Sequence, residues 1–378
     1  MQKQFDIILF GATGFTGQLT AHYLAAHAKQ EKLSWAIAGR NETKLKSIAG
    51  ECTTNTPEIV LADANHPSSL AAMVSKATVL MNAAGPFNLY GKRVVEACIE
   101  AGTHYLDITG EPSFVASLYN QFSEKAREKK ACIVNCCGFD SIPADLAAWI
   151  TAKKLPQGEP KLLEGFIRTN ATFSGGTLTT AIHALYMETQ GKSEKVRLPK
   201  HPAAPKKPLR IHFHKKLHAW AIPMPVVDPH IVKRSAFHLQ EDYGQAVTYV
   251  QYFVRSSLKK VFQTVLPIVL AMLLVRFRFF RNWLFSRFKP GTGPDAERRK
   301  ASRFEVVCFG SSPGIQAVTY VSGGDPGYDE TAKMFSQAAF TVLEKQRKGV
   351  LAYGVLTPVQ ALGDTLVSRL RAEGIRIE

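Results

Sequence analysis

Over residues 1–135 the chain switches repeatedly between two hydrophobic periods. Short runs that are apolar at nearly every position, such as Phe5-Asp6-Ile7-Ile8-Leu9-Phe10, have the pattern of strands covered on both faces. Between them lie stretches whose apolar residues recur every three or four positions, the pattern of helices with one buried stripe. The pattern predicts strands near 5–10, 33–38, 59–62, 77–82, 104–106 and 131–135, and helices over 15–28, 42–49, 67–75, 91–101 and 113–129. Alternation of strand and helix predicts parallel βαβ units in one doubly wound sheet.

After Pro143 the rhythm changes. Longer strand-like runs, Leu163–Thr169, Ala246–Val254, Phe304–Phe309 and Ala317–Ser322, predict a mixed or antiparallel sheet in a second domain. Residues 199–208 hold four prolines, so no helix or central strand passes through them. Lys289-Pro290-Gly291-Thr292-Gly293-Pro294 is a second break, after which helical patterns return at Met334–Gln346 and Pro358–Ala372. The expected domains are therefore 1–142, 143–328 and 329–378, with the last segment packing back on the first domain.

Gly11-Ala12-Thr13-Gly14-Phe15-Thr16-Gly17 follows the first strand and opens the first helix, the context in which a glycine turn binds a dinucleotide. Gly11 permits a sharp turn, Gly14 lets backbone approach a pyrophosphate, and Gly17 lets helix and strand pack closely. Amides of this turn, Thr13, Phe15 and Thr16 among them, would hold the phosphates at the helix N-terminus; the alternative is a plain glycine-rich turn. The fold class is α/β: an N-terminal Rossmann-type doubly wound parallel sheet with a second α+β domain. The second strand ends in Gly39-Arg40, where an NAD site would carry Asp or Glu. Arg40, with Lys44 one turn on, can instead bond a 2′-phosphate, so NADP(H) is the expected cofactor unless Arg40 is an ordinary surface cation. Asp63 is a candidate for the adenine amino group, and Ala83, Ala84, Gly85 and Pro86 for close backbone approach to the nicotinamide ribose.

Charge adds a localised feature. Residues 192–300 carry 22 Lys and Arg against 6 Asp and Glu, and the remainder carries 25 of each, so the net charge of +16 belongs to one region. Such a region is either a solvated basic face or a surface for an anionic partner. Within it, Val265–Val275 is wholly apolar and is followed by cations interleaved with aromatics up to Lys289. The apolar stretch is shorter than the twenty or so residues a membrane span needs. Segment 258–288 is expected to lie on an anionic membrane surface; the rival reading is a buried core helix or a subunit interface. Stacking on nucleic acid would need a recognition motif, and none is present. The six cysteines form no metal-ligand or disulfide spacing, and no signal peptide fits before residue 5. The expected location is the cytoplasm, peripheral on the inner face of a membrane.

Gly11–Gly17, Ala38-Gly39-Arg40, Asn82–Pro86, Tyr105-Leu106-Asp107-Ile108-Thr109-Gly110-Glu111 and Gly138-Phe139-Asp140-Ser141-Ile142-Pro143-Ala144-Asp145 together resemble the saccharopine dehydrogenase-like oxidoreductases. Ser174-Gly175-Gly176-Thr177 and Lys289–Pro294 are similar to the branch called trans-acting enoyl reductases. The resemblance implies NADPH-dependent reduction of an enoyl group on a lipid-like or polyketide chain, held by an acyl carrier. The alternatives are a saccharopine-type amino-acid dehydrogenase and a lipid-surface protein that holds the nucleotide without turnover. A second copy of the chain is a further candidate partner.

Hydride transfer is mainly a problem of positioning, and enoyl reduction needs one proton donor besides. Tyr105 is a candidate donor, or else packs beneath the cofactor. Asp140 is a candidate for orienting substrate or a proton-donating water, or else caps the helix that begins near Pro143 together with Ser141. Ser141, Ser174, Gly175, Gly176 and Thr177 are the substrate-side candidates, and no metal is expected.

Overall fold

A computed structural model describes residues 3–171, 194–223, 226–275, 277, 279, 280, 283 and 293–378. The first sheet contains β1 (Phe5–Phe10), β2 (Trp35–Gly39), β3 (Glu58–Leu61), β4 (Ala77–Asn82), β5 (His104–Asp107) and β6 (Cys132–Val134). Its order is β13-β6-β5-β4-β1-β2-β3, where β13 is the late strand Gly354–Leu356, and every pairing is parallel. The strands are near-continuously apolar because helices cover both faces: α1 (Phe15–His27), α2 (Glu42–Glu51), α3 (Pro67–Ser75), α4 (Phe87–Glu100) and α5 (Pro112–Glu128). Register places Asn82 beside Asp107 and Phe10 beside Asn82 at the carboxyl edge, where ligands of such sheets bind.

One predicted boundary moves for a physical reason. Helix α4 begins at Phe87, four residues before the apolar periodicity does, because the Glu111 carboxylate accepts from the amides of Phe87 at 2.7 Å and Asn88 at 3.0 Å. That cap comes from 23 residues downstream, so local pattern does not contain it.

The second sheet is mixed. It comprises β7 (Lys161–Thr169), β8 (His212–His214), β9 (Ala219–Pro223), β10 (Val247–Arg255), β11 (Phe304–Ser312), β12 (Ile315–Gly323) and β14 (Arg376–Ile377). The order is β14-β12-β11-β7-β10-β9-β8, with β7 and β10 parallel and the other pairs antiparallel. Helix α6 (Ile142–Lys153) is buried on almost every side and packs against β7, β11 and β12 of this sheet. Next come α7 (Asp228–His238), the short α8 (Gln240–Tyr243), α9 (Leu258–Leu274) and α10 (Ala296–Ala301).

The C-terminal segment belongs to both sheets. Helix α11 (Asp329–Arg347) packs on α1, β13 extends the first sheet beside β6, α12 (Pro358–Ala372) packs on α11 and α6, and β14 closes the edge of the second sheet.

Helix α9 is not a core helix. Of its residues only Val261 is buried, while Leu258, Phe262, Leu266, Val269, Leu270, Met272 and Leu273 are exposed. Among the described residues no helix is long and apolar enough to cross a membrane.

Candidate active site

The glycine turn is shaped as its sequence requires. Gly11 has φ +86°, and a Cβ there would lie 2.6 Å from the amide nitrogen of Ala84; a Cβ on Gly17 would collide with the carbonyl oxygen of Gly11. Only glycine allows β1, β4 and α1 to meet this closely. Gly14 is the N-cap of α1, gives it no side-chain bond, and no acid occupies the first turn. The first-turn amides therefore keep their capacity for an anion. Backbone oxygens of Thr13 and Thr16 accept from Gln18 and Thr20, which turns them into the helix. The ring of Phe15 meets Tyr328 edge-on at 5.0 Å and lies beneath the Arg299 guanidinium, itself paired with Asp329 at 3.0 Å. A Cβ on Gly293 would collide with the same ring. Residues from 293 to 329 thus pack against the glycine turn.

Arg40 emerges exposed just beyond β2. Asn41 caps α2 by accepting from the Lys44 amide at 2.9 Å, which fixes Lys44 one turn above Arg40. Asp63 lies half-buried beyond the neighbouring strand; its Oδ1 accepts from the amide and side chain of Asn65. Those bonds, with smaller help from the Arg40 charge, hold the Asp63 carboxyl below the usual carboxylate range. Asp63 thus shapes the turn that follows β3.

At the end of β4, Asn82 Oδ1 accepts from the Ala84 amide at 2.9 Å and Nδ2 donates to the Tyr105 hydroxyl at 3.0 Å. The Ala83 amide donates to Phe10. These bonds set the backbone of Ala83, Ala84, Gly85 and Pro86 against Gly11. Tyr105 is wholly buried, and burial raises its hydroxyl well above the ordinary tyrosine range. It accepts from Asn82, which it supports from within the sheet core.

Asp107 knots the ends of β5 and β6 together. Its Oδ1 accepts from the Thr109 and Cys136 amides, and its Oδ2 from Asn135, while burial pushes the carboxyl up to about 6. Beside it, Asp140 is exposed to solvent although protein surrounds its carboxyl closely. A Cβ on Gly110 would lie 2.9 Å from Asp140 Oδ2. This enclosure, together with the nearby Asp228, raises the Asp140 carboxyl to about 7.

Ser141 has φ +117° and is wholly buried. It is the N-cap of α6 but makes no capping bond, so the helix-cap reading of Asp140 and Ser141 fails. Nor does Ser141 face a substrate: its hydroxyl donates to Asp228 Oδ1 at 3.2 Å. Asp228 Oδ2 accepts from Gln251, whose Oε1 accepts from the Tyr249 hydroxyl at 2.7 Å. This chain of four buried groups runs beneath Asp140 and joins α6, α7 and β10. Sequence reasoning missed Asp228, Gln251, Asp107 and Glu111. A signal for Gln251 existed, since a polar residue inside an otherwise apolar strand needs a partner when buried. Ser174, Gly175, Gly176 and Thr177, and Lys289–Thr292 of the second break, lie outside the described residues.

Residues 7–134 match the saccharopine dehydrogenase NADP binding domain. A saccharopine dehydrogenase-like oxidoreductase of Rattus norvegicus is 31% identical over 99% of this chain and 97% of its own length. The chain belongs to the saccharopine dehydrogenase-like oxidoreductase family. Its cofactor is NADP(H), and the residues fit that group: a cradle closed to any Cβ at Gly11 and Gly17, an uncapped helix start, and Arg40 where a carboxylate would repel a 2′-phosphate. A protein of Mycobacterium tuberculosis named as a trans-acting enoyl reductase is 31% identical over the whole chain and 97% of that protein. One of Caenorhabditis elegans named a lipid droplet localized protein is 28% identical over 97% of the chain and 95% of that protein. Apo saccharopine dehydrogenase (L-Glu forming) from Saccharomyces cerevisiae shares the fold, with a TM-score of 0.56 at 12% identity and 98% coverage of both chains.

Proposed function

We propose that this oxidoreductase reduces an enoyl group on a lipid-like acyl or polyketide chain. The observation that carries the reading is Asp140: a solvent-exposed carboxyl at the carboxyl edge of the sheet, raised to about 7 by the protein packed around it and by Asp228. Bound NADPH supplies the hydride for the β-carbon. Asp140 places its proton on the α-carbon as the double-bond electrons move there, and the resulting carboxylate regains a proton from water. Asp228, anchored by Ser141 and Gln251, opposes ionisation of Asp140 and so keeps the donor charged with its proton. Asn82, held by Tyr105, fixes the backbone on which the nicotinamide end rests.

Electrostatics favour this reading over an amino-acid dehydrogenase. Among the described residues the only charge that acts appreciably on Asp140 is that of Asp228, also an acid. A substrate bearing several carboxylates would meet repulsion there, whereas a neutral enoyl thioester would not. NADPH oxidation assayed with enoyl thioesters and, separately, with amino-acid and keto-acid pairs tests the choice; turnover with the second set alone overturns it. With enoyl substrate, kcat falls as pH rises through about 7, and Asp140→Asn lowers kcat by about 10²-fold or more and removes that limb.

A further inference from the structure

We propose that the outward face of α9 docks the protein onto the surface of an anionic lipid leaflet, in which the helix lies flat. A surface helix normally turns its apolar stripe inward and its polar residues to water. Helix α9 reverses this. Leu258, Phe262, Leu266, Val269 and Leu273 follow one another at spacings of four, four, three and four and so share one face, and each is 44–70% exposed. The inward side carries the buried Val261 and the half-buried Thr264, Val265 and Ile268. The helix rests on β9 and β10, with Arg255 Nε donating to Thr264. Beyond its end, Phe277 and Phe279 are exposed as well, at 48% and 71%. So continuous an apolar surface is unusual on a soluble protein without a partner.

Length and charge name the occupant. Seventeen residues rise about 26 Å, less than the roughly 30 Å of a hydrocarbon core. Between Asp242 and Asp295 the chain has no acidic residue, but eight Lys and Arg, of which Lys259 and Lys260 stand exposed in the first turn of α9. Apolar side chains along one face with cations at their margin are what an interfacial helix presents to anionic headgroups. A second copy of this chain would bring the same cations together and meet repulsion. The helix follows directly on β10, the strand that carries Gln251, the partner of Asp228. This inference deepens the proposed function by naming where an acyl substrate is met, but its evidence is separate.

Flotation of the full chain with phosphatidylcholine vesicles, with and without phosphatidylserine, tests it. The protein is expected to float with the anionic vesicles, less so as salt rises. The variant Phe262→Ser/Leu266→Ser/Leu273→Ser should lose partitioning by about 30-fold or more, and Lys259→Glu/Lys260→Glu by about tenfold. All the altered side chains are exposed, so an unchanged urea midpoint and unchanged NADPH affinity are expected to show that fold and cofactor site persist. Equal flotation of the triple variant and the parent overturns the proposal. So does a parent that fails to float, including one that is a dimer which the triple variant converts to monomer, since that assigns the face to a second copy. Flotation uses no turnover: failure of the enoyl assay with intact flotation removes only the reaction, and the converse only the docking surface.

Discussion

At the scale of single residues, the site separates selection from support. Arg40 is exposed and, through its charge, felt by Asp63 across the neighbouring strand end, and it is free to meet a 2′-phosphate. Truncation should therefore act on one coenzyme only. Arg40→Ala is expected to weaken NADPH binding by about 10- to 100-fold and NADH binding by less than about threefold, measured by fluorescence titration. Equal losses for the two coenzymes would remove Arg40 from the 2′-phosphate. Tyr105 shows the opposite case: its position at a strand end drew attention to the hydroxyl, but complete burial and the bond from Asn82 make it a support. Asp140 could be noted from its motif, yet its raised pKa comes from the protein packed around it and, to a smaller degree, from Asp228, 88 positions further on in the chain.

At the scale of elements, the cofactor edge is held by contacts that cross from one βα unit to the next. Glu111 is fully buried and takes the first two amides of α4, immediately after the Ala83–Pro86 turn. Replacing one carboxylate oxygen with an amide group turns an acceptor into a donor facing a donor. Glu111→Gln should cost about 1–3 kcal/mol, read from the urea midpoint, and weaken NADPH and NADH alike by displacing that turn. Lowered stability with both affinities intact would show that the turn is held by other bonds. Boundaries of the long strands β1 and β4 and of α3 were legible because each hydrophobic run carries its own stop signals. The start of α4 was not, because its cap lies in a different unit.

The whole molecule has a cluster of acids whose protonation is linked to folding. Asp107, Asp145 and Asp228 are pushed up to about 6, 7 and 6, in each case chiefly by burial. A raised native value means that the folded state holds protons more tightly than the unfolded one, so the stability each group contributes is fully present below its unfolded value near 3.8 and is lost as pH rises through 6 to 7. His104 works in the other direction: burial lowers it to about 4, so its contribution is present above its ordinary value and lost as pH falls toward 4. Asp145 tests the linkage apart from Asp140, since it joins α6 to α12 by accepting from the Val359 amide. In Asp145→Asn the decline in thermal midpoint between pH 4 and 7 should flatten. A slope identical to the parent's would mean that this carboxyl stays ionised in the fold.

What the chain determined locally was the parallel sheet, the glycine turn and the arginine beyond the second strand. Each depends on periodicity or turn chemistry spanning fewer than about twenty residues, within which backbone sterics and the pairing of apolar positions decide the outcome. The tertiary structure alone decided that Ser141 reaches Asp228, 87 positions away, that the C-terminal segment gives a strand to each sheet, and that the apolar face of α9 points outward. The composition of 258–274 suited a core helix as well as a surface one. Which it became depended on whether the neighbouring strands offered an apolar surface wide enough to cover it, a property of packing between distant segments that no local pattern contains.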